Sequence, residues 1–462
     1  MNDTLKYNLL LDTDSYKASH WLQYPPETTS MFSYVESRGG TYPATLFFGL
    51  QYVIKKYLTN PVEHWMVDEA KSFFAAHGEP FNYEGWSYIV RELGGKLPIR
   101  IRAVAEGAIV PNHNVVMTVE STDPRVFWVV SWLETLLMRV WYPVTVATQG
   151  HYLRQTIYDY LVKTADDPDA EIGFKLHDFG ARGVSSCESS GIGGMAHLIN
   201  FLGSDTVQGV RYANHYYNSD MAGFSIPAAE HSTMTAWQRE GEEAAFRNML
   251  TQFATPGSLV AVVSDSYDIW NAVDQLWGST LKQEVIDSGA TVVIRPDSGN
   301  PPVVVNRLLH LLSDRFGSTT NSKGYKVLNS VRIIQGDGMN PRMVERVLDD
   351  ISKSGFSTSN IAFGMGGALL QQVNRDTQKF AYKCSSVTVS GQERDVFKDP
   401  ATDPGKRSKA GRLDLVKECD RYLTVKLENQ QTHPESQLTT FYENGKLLRE
   451  YSLDEVRTLA LA

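Results

Sequence analysis

The sequence predicts an α/β fold: a parallel α/β domain, open sheet or barrel, with a second, β-rich domain built from the N- and C-terminal segments. Two observations predict it. From about residue 150 to 380, short β-branched runs alternate with helical stretches, the pattern of parallel βαβ units that form an open sheet or a barrel. Before and after that region the chain reads mostly as short strands separated by turns. The expected partition is 1–149 for the N-terminal part of the β-rich α+β domain, 150–380 for the parallel α/β domain and 381–462 for the C-terminal part. A chain of 462 residues is too long for one small core and suits such a division.

In chain order, Asn8 to Lys17 is an apolar run that opens onto polar residues, and Pro25-Pro26 breaks the chain. Met31 to Glu36 alternates apolar and polar residues as a strand does, and Arg38-Gly39-Gly40 turns it. Phe48 to Leu58 is expected as an amphipathic helix, and Lys96 to Val119 as short strands turning at Glu106-Gly107 and Pro111-Asn112. Val126 to Trp141 is strongly apolar, but Glu134 and Arg139 interrupt it and Pro143 is expected to end it. A charge at mid-membrane costs several kcal/mol, so a buried helix is expected rather than a span. Helices are expected over Glu243 to Phe253, Ile269 to Trp277, Val303 to Leu312 and Pro341 to Ile351. Strands return at Ser385 to Val389, Tyr422 to Leu427 and Thr439 to Tyr442, with a basic loop from Lys398 to Lys409 among them.

Bulk properties narrow the function class. The formal net charge is -9, from 44 basic and 53 acidic side chains, which disfavours a nucleic-acid partner. The three cysteines are far apart and form no C-x-x-C pair, which points to a reducing compartment, no disulfide framework and a cytoplasmic location. The first residues lack the basic-then-apolar layout of a signal peptide. No pair of histidines has metal-ligand spacing such as H-E-x-x-H, so no zinc is expected.

The chemistry gathers at strand ends. Ala290 to Ile294 is a β-branched run, closed by Arg295-Pro296-Asp297-Ser298-Gly299, which offers a planar cation and a carboxylate on a stiffened turn. Four further segments have the same form, at Phe174–Gly180, Leu259–Ser266, Val331–Gly338 and Asn360–Gly367. In parallel α/β folds the loops after the strands carry the chemistry, so these ends are expected to share one mouth. Asp265, Asp297 and Asp337 are three carboxylates on three such ends, able to hold sugar hydroxyls, Mg²⁺ through water, or a cationic transition state. Gly364-Met365-Gly366-Gly367 can close backbone N–H groups on a phosphate, with Arg375, Lys383 and Lys398 as nearby cations. It is neither a Walker A loop nor a dinucleotide fingerprint. Composition alone does not single out His231 from His177 or His197.

The chain resembles the type II phosphoribosyltransferase family, in its nicotinamide-using members, almost from end to end. The resemblance rests on Thr13-Asp14-Ser15-Tyr16-Lys17, Lys175 to Gly180, Gly203 to Val207, Pro227 to Thr233, Ser264 to Asp268, Ile294 to Gly299, Gln335 to Gly338 and Phe397 to Pro400. It implies a barrel-like parallel α/β domain beside the β-rich one, and transfer of phosphoribosyl from phosphoribosyl pyrophosphate to nicotinamide by a homodimer with shared active sites, with Mg²⁺ and with ATP as co-substrate. By that resemblance Phe179 and Arg295 stack on the pyridine ring, with Tyr16 supplied by the other subunit. Asp205 accepts from the amide, Asp297 and Asp265 meet the ribose, and Gly336-Asp337 and Gly366-Gly367 surround its 5′-phosphate. Asp14, Arg182 and Arg375 map onto ligand contacts, and Arg38, Lys383, Lys398 and Lys406 onto pyrophosphate or nucleotide contacts. His231 matches the histidine that takes a phosphoryl group from ATP. The chain departs from the family at Ala381, where a serine is frequent, at Ala181, where a larger side chain is common, and in a short loop from Ser37 to Leu46.

Three rivals remain at this level. A nicotinate-using relative would meet the negative charge of Asp205, which repels a second carboxylate. A non-catalytic binding protein on the same fold would not need His231, Arg295, Asp297 and the Gly-rich turns together. A barrel enzyme for another sugar phosphate is the third.

Overall fold

The computed structural model describes residues 5–402, 407–428 and 431–462. The chain packs as two compact units, one of Met1–Thr148, Tyr216–Asn218 and Asn374–Ala462, the other of Gln149–His215 and Ser219–Val373.

The first unit is organised on a seven-stranded antiparallel sheet. Its spatial order is Gln392–Asp395, Phe380–Val389, Thr28–Ser37, Val115–Ser121, Ile99–Ala103, Thr439–Glu443 and Lys446–Leu447. Thr28–Ser37 pairs with Phe380–Val389 in a register that sets Val35 opposite Tyr382, and Thr439 lies opposite Ala103. Both chain ends therefore build one sheet, as the fold class anticipated. Arg100 bridges Glu120 and Glu443 at 2.9 and 2.6 Å, and Arg412 also reaches Glu120. The apolar stretch after Val126 breaks into two short helices, Val129–Trp132 and Glu134–Met138, with Val130, Trp132, Leu136 and Leu137 buried. Glu134 survives there because Lys17 meets it at 2.7 Å. Pro143 does not end a helix. It lies in the first turn of the 24-residue helix Trp141–Thr164, where a proline removes no intrahelical hydrogen bond.

The expected amphipathic helix at Phe48–Leu58 begins at Leu50 and widens into i→i+5 turns at Ile54–Leu58. Its first turn is buried on every side, so the one-sided pattern was misleading. Gln51, fully buried, donates to the carbonyls of Tyr216 and Tyr451 at 2.6 and 3.0 Å and accepts from the Tyr451 N–H at 2.7 Å. Those bonds hold the short excursion at 216–218 within this unit.

The second unit contains six parallel strands: β1 Leu176–Asp178, β2 Gly203–Ser204, β3 Leu259–Val263, β4 Thr291–Arg295, β5 Val331–Gln335 and β6 Ile361–Met365. Their order is β2-β1-β6-β5-β4-β3. The segment around Phe224–Ala229 joins the two edges: Phe224 bridges Gly203 of β2, and Ala228 bridges Ala261 of β3. Four backbone hydrogen bonds of 2.8–3.0 Å secure these bridges. The strands thus curl into a barrel-like ring. Helices Glu242–Phe253, Pro301–Phe316 and Pro341–Lys353 follow in alternation with the strands. The last buries Val344, Val347, Leu348 and Ile351, the i, i+3, i+4, i+7 face of an amphipathic helix. The expected helix at Ile269–Trp277 has one regular turn, then wide i→i+5 turns over Ala272–Thr280, and the buried Trp277 indole donates to the Ser264 hydroxyl at 3.1 Å.

Small side chains on the inner face of the strands leave the ring hollow. Ala261, Val293 and Ile334 are buried together, with Phe179, Ile226 and Ala362 packed against them. They line a cavity of about 430 Å³ that runs from Leu259, Arg332 and Ile361 at the strands' amino ends to Phe179, Arg295 and Asp205 at their carboxyl ends. Barrel interiors of this size are more often filled by branched side chains. Among the described residues, no helix is long and apolar enough to cross a membrane.

Candidate active site

The strand ends do converge. Arg295 closes β4, and its guanidinium donates to Asp297 at 3.0 and 3.3 Å across the Pro296 turn. Gly299 completes that turn at φ +85°, a left-handed conformation that side chains rarely adopt. Asp265, just beyond β3, is almost wholly buried and fully engaged. Its Oδ2 accepts from the Asp297 N–H at 2.9 Å and from the Ser298 hydroxyl at 2.5 Å, so one carboxylate fixes the neighbouring loop. Its Oδ1 lies 3.0 Å from His231 Nε2. His231 Nδ1 is 3.8 Å from Asp297 Oδ2, and 44% of the imidazole side chain is exposed. The ring is held from one side and open on the other.

At the carboxyl mouth of the barrel, Phe179 and Arg295 face each other, with the guanidinium carbon 5.9 Å from the ring centroid. Asp205 stands at the same rim and accepts from the Ser225 hydroxyl at 2.5 Å. A flat aromatic face, a flat cation and an acceptor carboxylate therefore line one cavity. Flat heteroaromatic rings are held by such pairs of faces. His177 lines the cavity too; its ring nitrogen meets the Phe174 carbonyl at 3.0 Å, and burial lowers its pKa while Asp205 opposes the shift. Asp178, next along β1, points away from the cavity and is fully buried. Burial pushes its carboxyl up to about 7, against the Gly180 N–H that it accepts at 2.7 Å.

Gly336 lies beside these groups: a Cβ there would come within 3.4 Å of the Phe179 ring and 3.8 Å of Asp297. Gly366 and Gly367 open the four-residue helix Gly367–Leu370, and Gly366 stands against the Phe179 backbone. Asp337 is exposed on the loop after β5, its carbonyl accepting from the Gln335 side chain at 2.9 Å. Arg182 is exposed in the turn after Phe179.

The remaining anticipated residues belong to the first unit. Arg38, Arg375, Lys383 and Lys398 line a cavity of about 540 Å³ together with Lys379, Glu134 and Asp376. Burial lowers the Lys383 pKa, Glu134 partly restores it, and Arg38, Lys398 and Arg375 push it down further. This is an electropositive cavity suited to a polyanion. Ala381, the departure noted above, lines it without a hydroxyl. Asp14 accepts from the Thr135 hydroxyl at 2.7 Å, and Tyr16 is 55% exposed with its ring edge-on to His20. Lys406 lies outside the described residues.

Sequence inspection missed Ser225, Ser298, Lys379 and Glu134. Ser298 stands in the turn Arg295–Gly299, where its sequence position gives no sign of its bond to Asp265. Ser225 lies 20 residues from Asp205 and gave no local sign, because the bridge between Phe224 and β2 brings it there.

Comparison with known proteins shows the family. The model of the nicotinate phosphoribosyltransferase (NAPRTase) family matches residues 174–446, and that of the nicotinamide phosphoribosyltransferase N-terminal domain matches residues 8–101. A nicotinamide phosphoribosyltransferase of Xanthomonas campestris pv. campestris is 59% identical over 458 residues, covering 98% of each chain. One from Acinetobacter baylyi is 31% identical, covering 98% of this chain and 97% of its own. The crystal structure of human nicotinic acid phosphoribosyltransferase shares the fold, with a TM-score of 0.59 at 18% identity over 97% of this chain and 93% of that one. With its barrel, its strand-end cluster and end-to-end relatives of this kind, the chain belongs to the nicotinate phosphoribosyltransferase (NAPRTase) family.

Proposed function

We propose that the protein transfers a phosphoribosyl group from phosphoribosyl pyrophosphate to nicotinamide, giving nicotinamide mononucleotide and pyrophosphate in NAD salvage. The observation that carries this is the shared cavity of Phe179, Arg295 and Asp205. The pyridine ring lies between the aromatic and guanidinium faces, and the Asp205 carboxylate accepts from the amide N–H. Relatives that match over the whole chain bear the name of this activity. Nicotinate as the acceptor is disfavoured, since its carboxylate would meet Asp205.

The pyridine nitrogen is a neutral nucleophile, so no general base is required. The barrier lies in breaking the bond from the anomeric carbon to pyrophosphate through an oxocarbenium-like state. Asp297 faces the ribose and stabilises that positive charge, while Asp265 fixes the Asp297 backbone and the His231 ring. Gly336-Asp337 and Gly366-Gly367 take the 5′-phosphate through backbone N–H groups, with Arg182 as a further anion partner. In the first unit, the cavity of Arg38, Arg375, Lys383 and Lys398 is proposed to take pyrophosphate or nucleotide phosphates, with Lys406 as a further cation.

Among the described residues, no group of three or more His, Cys, Asp or Glu side chains is placed to hold a metal ion. Mg²⁺ is proposed to accompany the phosphoribosyl pyrophosphate, where it would supply neutralisation of leaving-group charge. His231 is proposed to accept a phosphoryl group from ATP, with ADP leaving and water later releasing phosphate. Its exposed side admits the nucleotide. Asp14 and Tyr16 are proposed to serve the site of a second copy, which makes the working unit a homodimer, and three unpaired cysteines suit the cytoplasm.

The test is product formation from phosphoribosyl pyrophosphate, Mg²⁺ and nicotinamide, followed across a size-exclusion profile. Nicotinamide mononucleotide and pyrophosphate should form together, in fractions of twice the chain mass. No product from nicotinamide sinks the reading; activity in monomer fractions removes the homodimer.

A further inference from the structure

We propose that Gly364 and Asp178 are positioning residues of the ring slot, jointly fixing where the Phe179 ring lies and so the gap that it leaves before Arg295. This rests on the proposal that the slot takes nicotinamide. Neither residue faces the cavity as a ligand contact, and their effect runs through Phe179.

Gly364 is buried in β6, directly under the ring. A Cβ at that position would lie 1.9 Å from Phe179 Cε2, 2.2 Å from Cδ2 and 2.8 Å from Cζ. Carbon atoms approach no closer than about 3.5 Å at rest, so any side chain here moves the ring by more than ~1 Å. The backbone leaves the ring little freedom to be elsewhere, because the Phe179 N–H donates to the Met365 carbonyl at 3.0 Å. Gly364 has no left-handed backbone that would call for glycine on its own account. What requires the missing side chain is the ring.

Asp178 holds the same residue from the other side of the strand. Its Oδ1 accepts from the Gly180 N–H at 2.7 Å and closes the turn around Phe179. Its carbonyl accepts from the Asp205 N–H at 3.0 Å, so the residue that places the ring also places the proposed amide acceptor. Gly180 completes the fit, since a Cβ there would strike Leu370 at 2.6 Å. The Gly-rich stretch that begins inside β6 thus has a second use besides its proposed hold on a phosphate: Gly364 is the floor beneath the Phe179 ring.

The experiment is a double-mutant cycle on the full-length enzyme, with KM and kcat for nicotinamide and melting temperature measured for wild type, Gly364→Ala, Phe179→Ala and the double variant. Gly364→Ala should raise KM about tenfold or more and change kcat by less than ~3-fold, as expected when binding and not chemistry is lost. In the Phe179→Ala background the same change should alter KM by less than ~2-fold. Equal effects in both backgrounds, or none in either, overturn the role of Gly364. For Asp178, Asn keeps an acceptor for the Gly180 N–H and should stay within ~3-fold of wild-type KM, whereas Ala should raise KM about tenfold. Equal effects of Asn and Ala overturn that part. Should Gly364→Ala not fold, the Asp178 pair decides the proposal. If wild type makes no product from nicotinamide, the function fails first, and a crystal structure of Gly364→Ala decides the seat: an unmoved Phe179 ring overturns it.

Discussion

His231 lies between two carboxylates and is bonded to one. Asp265 holds Nε2 at 3.0 Å, while Asp297 stands 3.8 Å from Nδ1 and is itself engaged by Arg295. Asp265 therefore orients the ring, and the imidazole keeps an exposed edge for a phosphoryl donor. Glycosyl transfer to a pyridine nitrogen needs no imidazole. His231→Ala should abolish nicotinamide-stimulated ATP hydrolysis and the ATP-dependent gain in rate, yet keep slow transfer, when ADP and nicotinamide mononucleotide are followed in one assay. A variant that still hydrolyses ATP and responds to it normally shows that another group carries the coupling. At this scale Arg295, Asp297 and Asp265 were legible, because a polar residue after a β-branched run marks a strand end. The bond between Ser225 and Asp205 was not, since it depends on which strands become neighbours. Asp178 was visible only as a letter in a motif; that it points away from the cavity follows from the two-residue period of the strand.

Single elements carry their own ionisation. The turn at Glu106-Gly107 reads as an ordinary polar loop, yet Glu106 is fully buried and accepts from the Gln51 N–H at 2.7 Å, at the start of the helix Leu50–Val53. Burial pushes its carboxyl up to about 7, only partly offset by the neighbouring hydroxyl and N–H groups. A carboxyl whose folded pKa is raised binds its proton more tightly when folded. Its stabilisation is complete below the unfolded value of 4.5 and is lost as pH rises toward 7. The slope is at most ~1.4 kcal/mol per pH unit for one proton. Glu106→Gln keeps an acceptor without the proton, so urea denaturation followed from about pH 5 to about pH 7, inside that window, should show a flatter pH dependence than wild type. Parallel curves would show that Glu106 is not the group that titrates. Periodicity found the helices with one polar face, as at Pro341–Lys353. It also found the helix within Phe48–Leu58 but not the burial of its whole first turn, because a buried Gln51 looks polar in sequence while its amide is consumed by the Tyr216 and Tyr451 backbone.

At the scale of the molecule, the two chain ends complete one sheet: Thr28–Ser37 finds one neighbour at Val115–Ser121 and the other only at Phe380–Val389. Strand-like ends around an alternating middle made this legible. The hollow barrel was not, since it depends on Ala261, Val293, Ile334 and Ala362 sharing one inner face. That hollow ends at Phe179, Arg295 and Asp205, and the choice of substrate rests on the last of them. An ionised carboxylate only accepts hydrogen bonds, and nicotinamide offers an N–H where nicotinate offers a second anion. Like charges at contact cost several kcal/mol at an effective dielectric near ~20, and a lost donor adds roughly 1–3 kcal/mol. Each ~1.4 kcal/mol is tenfold in rate ratio. The decisive measurement is kcat/KM for nicotinamide and for nicotinate, in wild type and in Asp205→Ser. Wild type should prefer nicotinamide by at least ~100-fold, and the variant should lose nicotinamide use while gaining nicotinate use. A preference ratio that is the same in both enzymes would contradict the assignment of Asp205, and with it the reading of this site as one that selects the amide.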